Sequence, residues 1–365
     1  MKRILLSLAF AAAILRLTAT PGLTPALAAE ESPRALVERG AWRQARRLVE
    51  SRLEKSPDDA EALWLMSQVK GAFGDEKGAF ELAEKAVSLD GKKPEYHLQL
   101  AEVCGQMAQK AGPLKGLGLG KRFKKEAEAA LALDPRQIDA RVDLMMFYLK
   151  APGIAGGDKK KAKRVADEII TLDPVRGNIA QARFDLEQRD TARAAGSYRK
   201  AAELGATSYQ AQIAAASFFA GSGQQRWDLV EKCARLGLEI DPQRAGAYSL
   251  LAAAYAHLER WSELDAILAA AESNLPGNLG AYYQAGRMLL IEGHDPERAE
   301  RCFRKYLTAE PEGNAPSHAH AHWRLGLVLE KQGRRSEALA ELETALKINP
   351  QLDEAKKDLK RLKRA

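Results

Sequence analysis

Three histidines lie at alternate positions in the last fifth of the chain, at His318, His320 and His322. Imidazole is a common ligand for transition metals, so this spacing raises the question of a metal site. On a continuous helix, residues four apart share a face, which places His318 with His322 and turns His320 away. No cysteine or second acidic cluster nearby offers a further ligand. The pattern therefore predicts the start of a helix, with His318 and His322 as weak metal candidates and no cofactor.

Two glycine-rich stretches, residues 111–120 and 151–158, each precede lysine or arginine. Because backbone amides at helix N-termini bind anions, such stretches could hold a phosphate. They could also form a contact for one partner protein, or be surface insertions that the fold tolerates. The candidate residues of this loop edge are Gly116, Gly118, Gly156 and Gly157.

Neither stretch fits a nucleotide-binding motif. A phosphate-binding P-loop would need glycine at Lys115 and serine or threonine at Arg122, after a β-strand. The spacing of Gly116, Gly118 and Gly120 also differs from the dinucleotide pattern. Elsewhere, acidic residues alternate with lysine and arginine, as on solvated helices. The sequence therefore predicts no catalytic residues and no enzyme; an enzyme that uses the paired glycine-rich stretches is an unfavoured alternative.

The helical segments that must position these residues recur along the chain at intervals of about 34 residues. Each interval holds two helical segments, with small residues such as Ala79, Ala86, Ala338 and Ala345 where helices would cross. Proline after the second segment forces the chain to turn. No such unit can bury its apolar face alone, so neighbouring units must stack. The units end near residues 57, 91, 135, 174, 206, 242, 276, 311 and 350.

This period, with two helices per unit, resembles the tetratricopeptide repeat family. The resemblance runs from about residue 32 to the C-terminus. It implies an all-α, right-handed α-solenoid of about nine helix-turn-helix repeats over residues 29–350, with a basic amphipathic capping helix over 351–365. The residues that carry it are Leu325-Gly326, Ala285-Gly286 and Leu251-Ala252 at the family's Leu-Gly position, and Tyr255 and Tyr148 at its tyrosine position.

In this family the first helix of each unit lines a concave groove that binds protein or peptide partners. The resemblance therefore implies a non-catalytic interaction scaffold with no specific nucleic-acid partner. Aromatic and arginine side chains anchor protein partners, although the same aromatics could pack between neighbouring helices. The alternative is an accessory of envelope polysaccharide or outer-membrane assembly that contacts glycan or lipid. The groove positions fall on Trp64, Gln68, Met146, Lys150, Tyr283, Arg287 and Trp323.

The first 28 residues have the pattern of a signal peptide. Lys2 and Arg3 precede an apolar run over residues 4–14 that is too short to span a bilayer. Residues 26–28 fit the small-x-small cleavage rule, which predicts a periplasmic or secreted bacterial protein cut near Ala28. Arg16 interrupts the apolar region, so an N-terminal membrane anchor is the alternative.

Charge and cysteine content add two expectations. The formal net charge is +7, and the basic run at residues 356–364 is typical of a solvated helix end. Cys104, Cys233 and Cys302 are far apart and odd in number, which predicts buried free thiols rather than a disulfide framework. Because the ends of solenoids can pair with one another, the sequence is also compatible with a homodimer.

Overall fold

The computed structural model describes residues 31–221 and 223–364, and over these residues the regular structure is helical. The predicted signal peptide lies outside the described residues. A 3₁₀ helix, Gly153–Ala155, lies between α7 and α8. The α-helices are α1 Pro33–Arg39, α2 Trp42–Lys55, α3 Ala60–Ala72, α4 Glu76–Leu89, α5 Pro94–Lys110, α6 Pro113–Leu133, α7 Ile138–Lys150, α8 Lys159–Leu172, α9 Pro174–Glu187, α10 Thr191–Leu204, α11 Tyr209–Ala220, α12 Trp227–Ile240, α13 Ala245–His257, α14 Trp261–Asn274, α15 Gly280–Glu292, α16 Pro296–Tyr306, α17 His318–Lys331, α18 Arg335–Ile348 and α19 Asp353–Arg364.

The helices pack as consecutive pairs, from α1 with α2 to α17 with α18, and α19 packs on α18. Each pair also contacts the next pair, and the first helices of neighbouring units contact one another, as α5 does α7 and α13 does α15. This is the predicted α-solenoid of helix-turn-helix repeats. Among the described residues, no helix combines the length and the apolar character needed to cross a membrane.

Aspartate side chains begin many of the helices. In each case the carboxylate accepts a hydrogen bond from the backbone N–H three residues later, which satisfies one of the four free N–H groups at a helix start. The same bond lowers the pKa of the Asp75 and Asp158 carboxyls. The capping residues with this geometry include Asp59, Asp75, Asp158, Asp190 and Asp295.

Small residues set the distance between packed helices. Ala79 and Ala86 on α4, and Ala338 and Ala345 on α18, are fully buried, as the repeat pattern predicts. The closest approach is at Gly177 on α9, where an added Cβ would lie 2.3 Å from the Cα of Ile170 on α8. Backbone rather than a movable side chain fills that space, so only glycine fits.

The first glycine-rich stretch is not a loop, and that part of the expected loop edge is wrong. Helix α6 begins at Pro113, so Gly116 and Gly118 are helical. Proline at the first helical position supplies the backbone angle that starts a helix, which outweighs the low helix propensity of the glycines. A Cβ on Gly116 would lie 3.3 Å from the Ala108 carbonyl oxygen of α5, so glycine permits the close packing of α6 on α5.

The second stretch does form a tight turn, and it contacts the helix that the first stretch begins. Gly156 has φ +99°, and a Cβ on Gly157 would lie 1.8 Å from the Ala151 carbonyl oxygen. The 3₁₀ helix contacts α6. Gly120 and Gly156 both lie against the Phe147 ring.

The first unit also contacts the seventh to ninth units, through a set of hydrogen bonds that we call the clasp. Arg43 donates to the Gly277 carbonyl at 2.8 Å and pairs with Glu312 at 2.8 Å. Arg244 donates to the Glu38 carbonyl at 2.7 Å. The segment before α17, which holds Glu312, thus supplies one side of a contact between residues 269 apart.

Substitution at Gly177 tests the close packing of the pairs. Gly177→Ala is expected to lower the free energy of unfolding by about 1–3 kcal/mol, because the added methyl forces α8 and α9 apart. The matched control is Gly196→Ala on α10, where a Cβ meets nothing within 4 Å. That change should stabilise the protein by about 0.5–1 kcal/mol. Denaturant unfolding of both variants checks the difference; equal effects would show that the helices can move apart freely.

Candidate functional site

The predicted groove residues do not form one open surface. Trp64 is half-buried, with its ring centroid 5.7 Å from that of Tyr96 and the Arg34 guanidinium 4.7 Å above it. Its ring therefore packs between first helices of neighbouring units. Gln68, one turn later, is half-buried, and its side-chain Nε2 has no hydrogen-bond partner within the described part of the chain. This amide remains a candidate contact for a partner.

Tyr283 is buried, and its prediction as a groove-lining side chain is wrong. Only 3% of the residue is exposed, and its ring centroid lies 5.6 Å from Phe303 and 5.1 Å from Tyr306. Its hydroxyl accepts a hydrogen bond from Arg324 Nε at 2.9 Å. The repeat position is that of a first helix, but the large side chains of α16 cover the ring.

Trp323 occupies the same repeat position in the next unit and contacts the end of the solenoid. Its indole Nε1 donates to Asp358 Oδ2 on α19 at 2.8 Å, and the ring packs against the core. Met146 is half-buried against the core of the third to fifth units. Lys150 is exposed and pairs with Glu187 at 2.8 Å. These three side chains are engaged within the fold.

Arg287 and Arg324 form a positive site on the first helices of the last two units. Arg287 donates from Nε to Gln284 Oε1 at 2.9 Å, and the Arg324 guanidinium lies 4.8 Å over the Trp323 ring. Burial, and then the neighbouring charge of Arg324, lowers the pKa of Arg287. Neither guanidinium has a carboxylate partner within the described residues, so both can take an acidic group.

Two carboxyls that the sequence did not single out lie on the first helices of the third and fourth units. Glu102 on α5 and Asp143 on α7 are both half-buried. Burial, reinforced by Asp143 and Asp139, raises the pKa of Glu102 to about 8. Burial and Asp139 raise the pKa of Asp143 to about 7, against the opposing effect of Arg183. Asp143 Oδ2 is buried without a hydrogen-bond partner within the described residues.

The repeat itself contains a signal for one of these carboxyls. Glu102 follows the predicted groove residue Gln68 by one repeat period, so it occupies the equivalent position of the next unit. The raised pKa values have a simple cause, since charged carboxylates are shielded here from water and face other carboxylates. The first helices thus carry an acidic site at α5 and α7 and a basic site at α15 and α17, and neither site has an ion-pair partner within the described residues.

The three histidines bind three different partners. His318 Nε2 lies 2.9 Å from the Ala309 carbonyl oxygen, and His320 Nδ1 lies 2.9 Å from Ser317 Oγ. His322 Nδ1 lies 2.6 Å from Glu341 Oε2. The described residues contain no group of three or more side chains that could hold a metal ion. The histidines fix the start of α17 and its packing on α18.

The cysteines are buried free thiols, as predicted. Burial raises the pKa of the Cys104 thiol to about 11 and that of Cys302 to about 12. A thiol with a pKa this high is almost wholly protonated at neutral pH and is a poor nucleophile.

Comparison with known proteins agrees with this architecture. Residues 319–352 match the tetratricopeptide repeat model. The structure of yeast Tom70 superposes with a TM-score of 0.50 over 91% of this chain and 80% of Tom70, at 15% identity. A thermophilic tetratricopeptide repeat protein from Thermus thermophilus gives a TM-score of 0.44 over 52% of this chain and 100% of its own, at 18% identity. A search of curated protein sequences found no match.

The helix pairs and their spacing define this chain as an α-solenoid, and residues 319–352 match one tetratricopeptide repeat. Two charged sites lie on its first helices, one at α5 with α7 and one at α15 with α17.

Removing the Glu102 charge tests the acidic site. A carboxyl whose pKa rises from 4.5 to about 8 on folding costs stability as the pH rises through that interval. Glu102→Gln should therefore raise the Tm at pH 8.5 by about 2 °C or more, and flatten its decline between pH 5 and 8. Calorimetry across pH measures this. Glu239→Gln, at an exposed position on α12, is the control; an identical profile for Glu102→Gln and wild type would contradict the assignment.

Proposed function

We propose that this chain is a non-catalytic scaffold of the bacterial periplasm that binds an extended segment of a partner protein along its first helices. The observation that carries the proposal is the pair of unpaired charged sites, Glu102 with Asp143 and Arg287 with Arg324. Both sites are already shielded from water, so charged groups of a partner can bind them strongly.

The charges define the chemistry of the partner. A lysine or arginine side chain that reaches Glu102 and Asp143 would form charge-assisted hydrogen bonds and restore both carboxylates to the ionised state. An acidic side chain or a C-terminal carboxylate fits Arg287 and Arg324 in the same way. The favoured partner is therefore a segment with a basic residue at one end and an acidic group at the other.

The location rests on the sequence of residues 1–28, whose pattern is that of an exported protein. N-terminal sequencing of the protein purified from its natural host tests this part of the proposal. A chain that starts at Ala29 or Glu30 supports cleavage and export. An intact Met1 in the membrane fraction would support the anchored alternative, and an intact Met1 in the cytoplasm would contradict export.

Photo-crosslinking tests partner binding at the acidic site. A photoreactive residue at Gln106, exposed one turn after Glu102 on α5, should capture a distinct protein in cells. The double variant Glu102→Gln with Asp143→Asn should weaken binding of that protein at least about tenfold, or about 1.4 kcal/mol, because a partner cation loses its counter-charge.

Two controls make this experiment decisive. A photoreactive residue at exposed Glu239 should not capture the same protein, and Glu239→Gln should leave its affinity unchanged. If the double variant binds the captured protein as tightly as wild type, the acidic site is not the contact.

A second candidate function, contact with lipid, is favoured by the edge where α6 meets the 3₁₀ helix. Leu114 is 89% exposed and Ile154 is 88% exposed. Exposed lysines lie close to them in sequence, at Lys115, Lys121 and Lys159, and none of these has an ion pair within the described residues. Exposed apolar side chains with lysines near them in the chain match the interfacial region of an anionic bilayer.

Vesicle sedimentation tests the lipid candidate. Wild type should sediment with phosphatidylglycerol vesicles and not with phosphatidylcholine vesicles. The double variant Leu114→Glu with Ile154→Glu should reduce that binding at least about tenfold, since it removes both apolar contacts and adds like charge. Leu204→Glu, at a 52% exposed position on α10, should have little effect. Wild-type chain that stays in the supernatant with both lipids would exclude this candidate.

A further inference from the structure

The clasp borders an open cavity that neither proposed function uses. Its volume is about 620 Å³, within the range of small-molecule sites. One wall comes from α1 and α2 of the first unit. The other comes from the turns that precede α13 and α15 and from the insertion before α17. The cavity therefore exists only where the two distant parts of the solenoid meet.

The lining of this cavity is rich in arginine. Arg39, Arg43, Arg46 and Arg47 all line it, and Glu312 is the one carboxylate among its described lining residues. Glu312 neutralises Arg43. Arg46 lies 4.1 Å over the Phe73 ring, and Arg47 is exposed without an ion pair in the described part of the chain. The Arg46 and Arg47 guanidinium groups therefore have no carboxylate partner within the described residues.

Three helices also begin at the cavity. Helices α2, α13 and α15 each start there, and none has a hydrogen bond from its own N-cap side chain. At α13 and α15 only neutral groups accept from the first turn, the Tyr209 hydroxyl and the Asn278 amide. Each helix start contributes partial positive charge toward the cavity. Their convergence on one space adds to the field of the arginines.

An oxyanion is already bound at one edge of this cavity, and it belongs to the protein. The Glu312 carboxylate accepts from the Arg43 backbone N–H at 2.8 Å and from Arg43 Nε at 2.8 Å. This is the geometry with which a helix start and a guanidinium bind phosphate or carboxylate. Glu312 is only 10% exposed, so the oxyanion is held in a shielded position.

We infer that the cavity binds a small molecule with two or more phosphate groups. Arg46 and Arg47 donate to its oxygens from the first unit, and the turns before α13 and α15 form the opposite wall. Arginine suits this role because its planar guanidinium matches two phosphate oxygens at once. Since the ligand contacts both walls, it stabilises the closed clasp. This site is separate from the first helices and does not depend on the proposed function.

Pyrophosphate serves as the probe, with the full chain that follows residue 28. Thermal unfolding and titration calorimetry compare sodium pyrophosphate with sodium chloride at matched ionic strength. Pyrophosphate at about one hundred times its Kd should raise the Tm by several degrees beyond the salt control, because it binds only the folded state. No difference between the two salts would overturn the proposal.

Two arginine variants locate the binding. Arg47→Gln should weaken pyrophosphate binding about tenfold, and Arg47→Lys should weaken it less, since lysine keeps the charge and loses the paired donors. Arg199→Gln, at an exposed position on α10, is the matched control. Equal affinities for Arg47→Gln and Arg199→Gln would contradict the site, as nonspecific attraction to the basic chain gives that result.

A competition arm separates two sources of the same phosphate chemistry. Vesicles that contain phosphatidic acid are added to the pyrophosphate complex. Displacement assigns the site to a lipid headgroup, and an unchanged complex assigns it to a soluble phosphate compound. Both results are interpreted only if the Arg47→Gln variant binds pyrophosphate more weakly than wild type.

Discussion

Each helix pair of this chain buries its apolar side only by packing on the next pair, and small residues decide how closely the helices can approach. Ala79, Ala86 and Gly177 lie where a larger side chain would meet the backbone or core of a neighbour. A stack of this kind gains stability unit by unit, through nearest-neighbour contacts. It also leaves some half-buried charged side chains on the first helices, such as Glu102 and Arg287, with no ion-pair partner within the described residues.

A half-buried charge without a partner lowers the stability of the fold, and a group of opposite charge on a bound protein would offset that loss. Glu102 and Asp143 are shielded enough that their carboxyls resist ionisation, and Arg287 loses part of its tendency to hold a proton. Surface ion pairs elsewhere, such as Lys150 with Glu187, contribute little and can be replaced easily. Glu102 and Asp143 differ because they have no ion-pair partner within the described residues, so their carboxyls hold a proton to a higher pH.

The fold could be predicted because its sequence pattern is local and repeated. Small residues, helix breaks and turns recur with one period, so the assignment of helices in one unit supports the assignment in the next. The functional surface depends on contacts that the period does not encode. Tyr283 and Trp323 share a repeat position, yet α16 covers the first and α19 binds the second. Pro113 makes a glycine-rich stretch helical. The pairing of Arg43 with Glu312 joins residues too distant for any repeat pattern to relate.

The clasp changes how the solenoid responds to force and how it completes its folding. An open stack of repeats behaves as a spring, whose pitch and width vary with small rotations at every interface. The hydrogen bonds of Arg43 and Arg244 join the first unit to later units and so restrict the pitch of the stack. The interfaces between neighbouring units join residues close in sequence and can form early. The clasp joins residues far apart in sequence, and contacts of that kind form slowly. It also needs the intervening units to be stacked, because their packing brings its two sides together. A single missing or misfolded unit would therefore leave the ends apart, and closure would mark a chain whose repeats are all assembled.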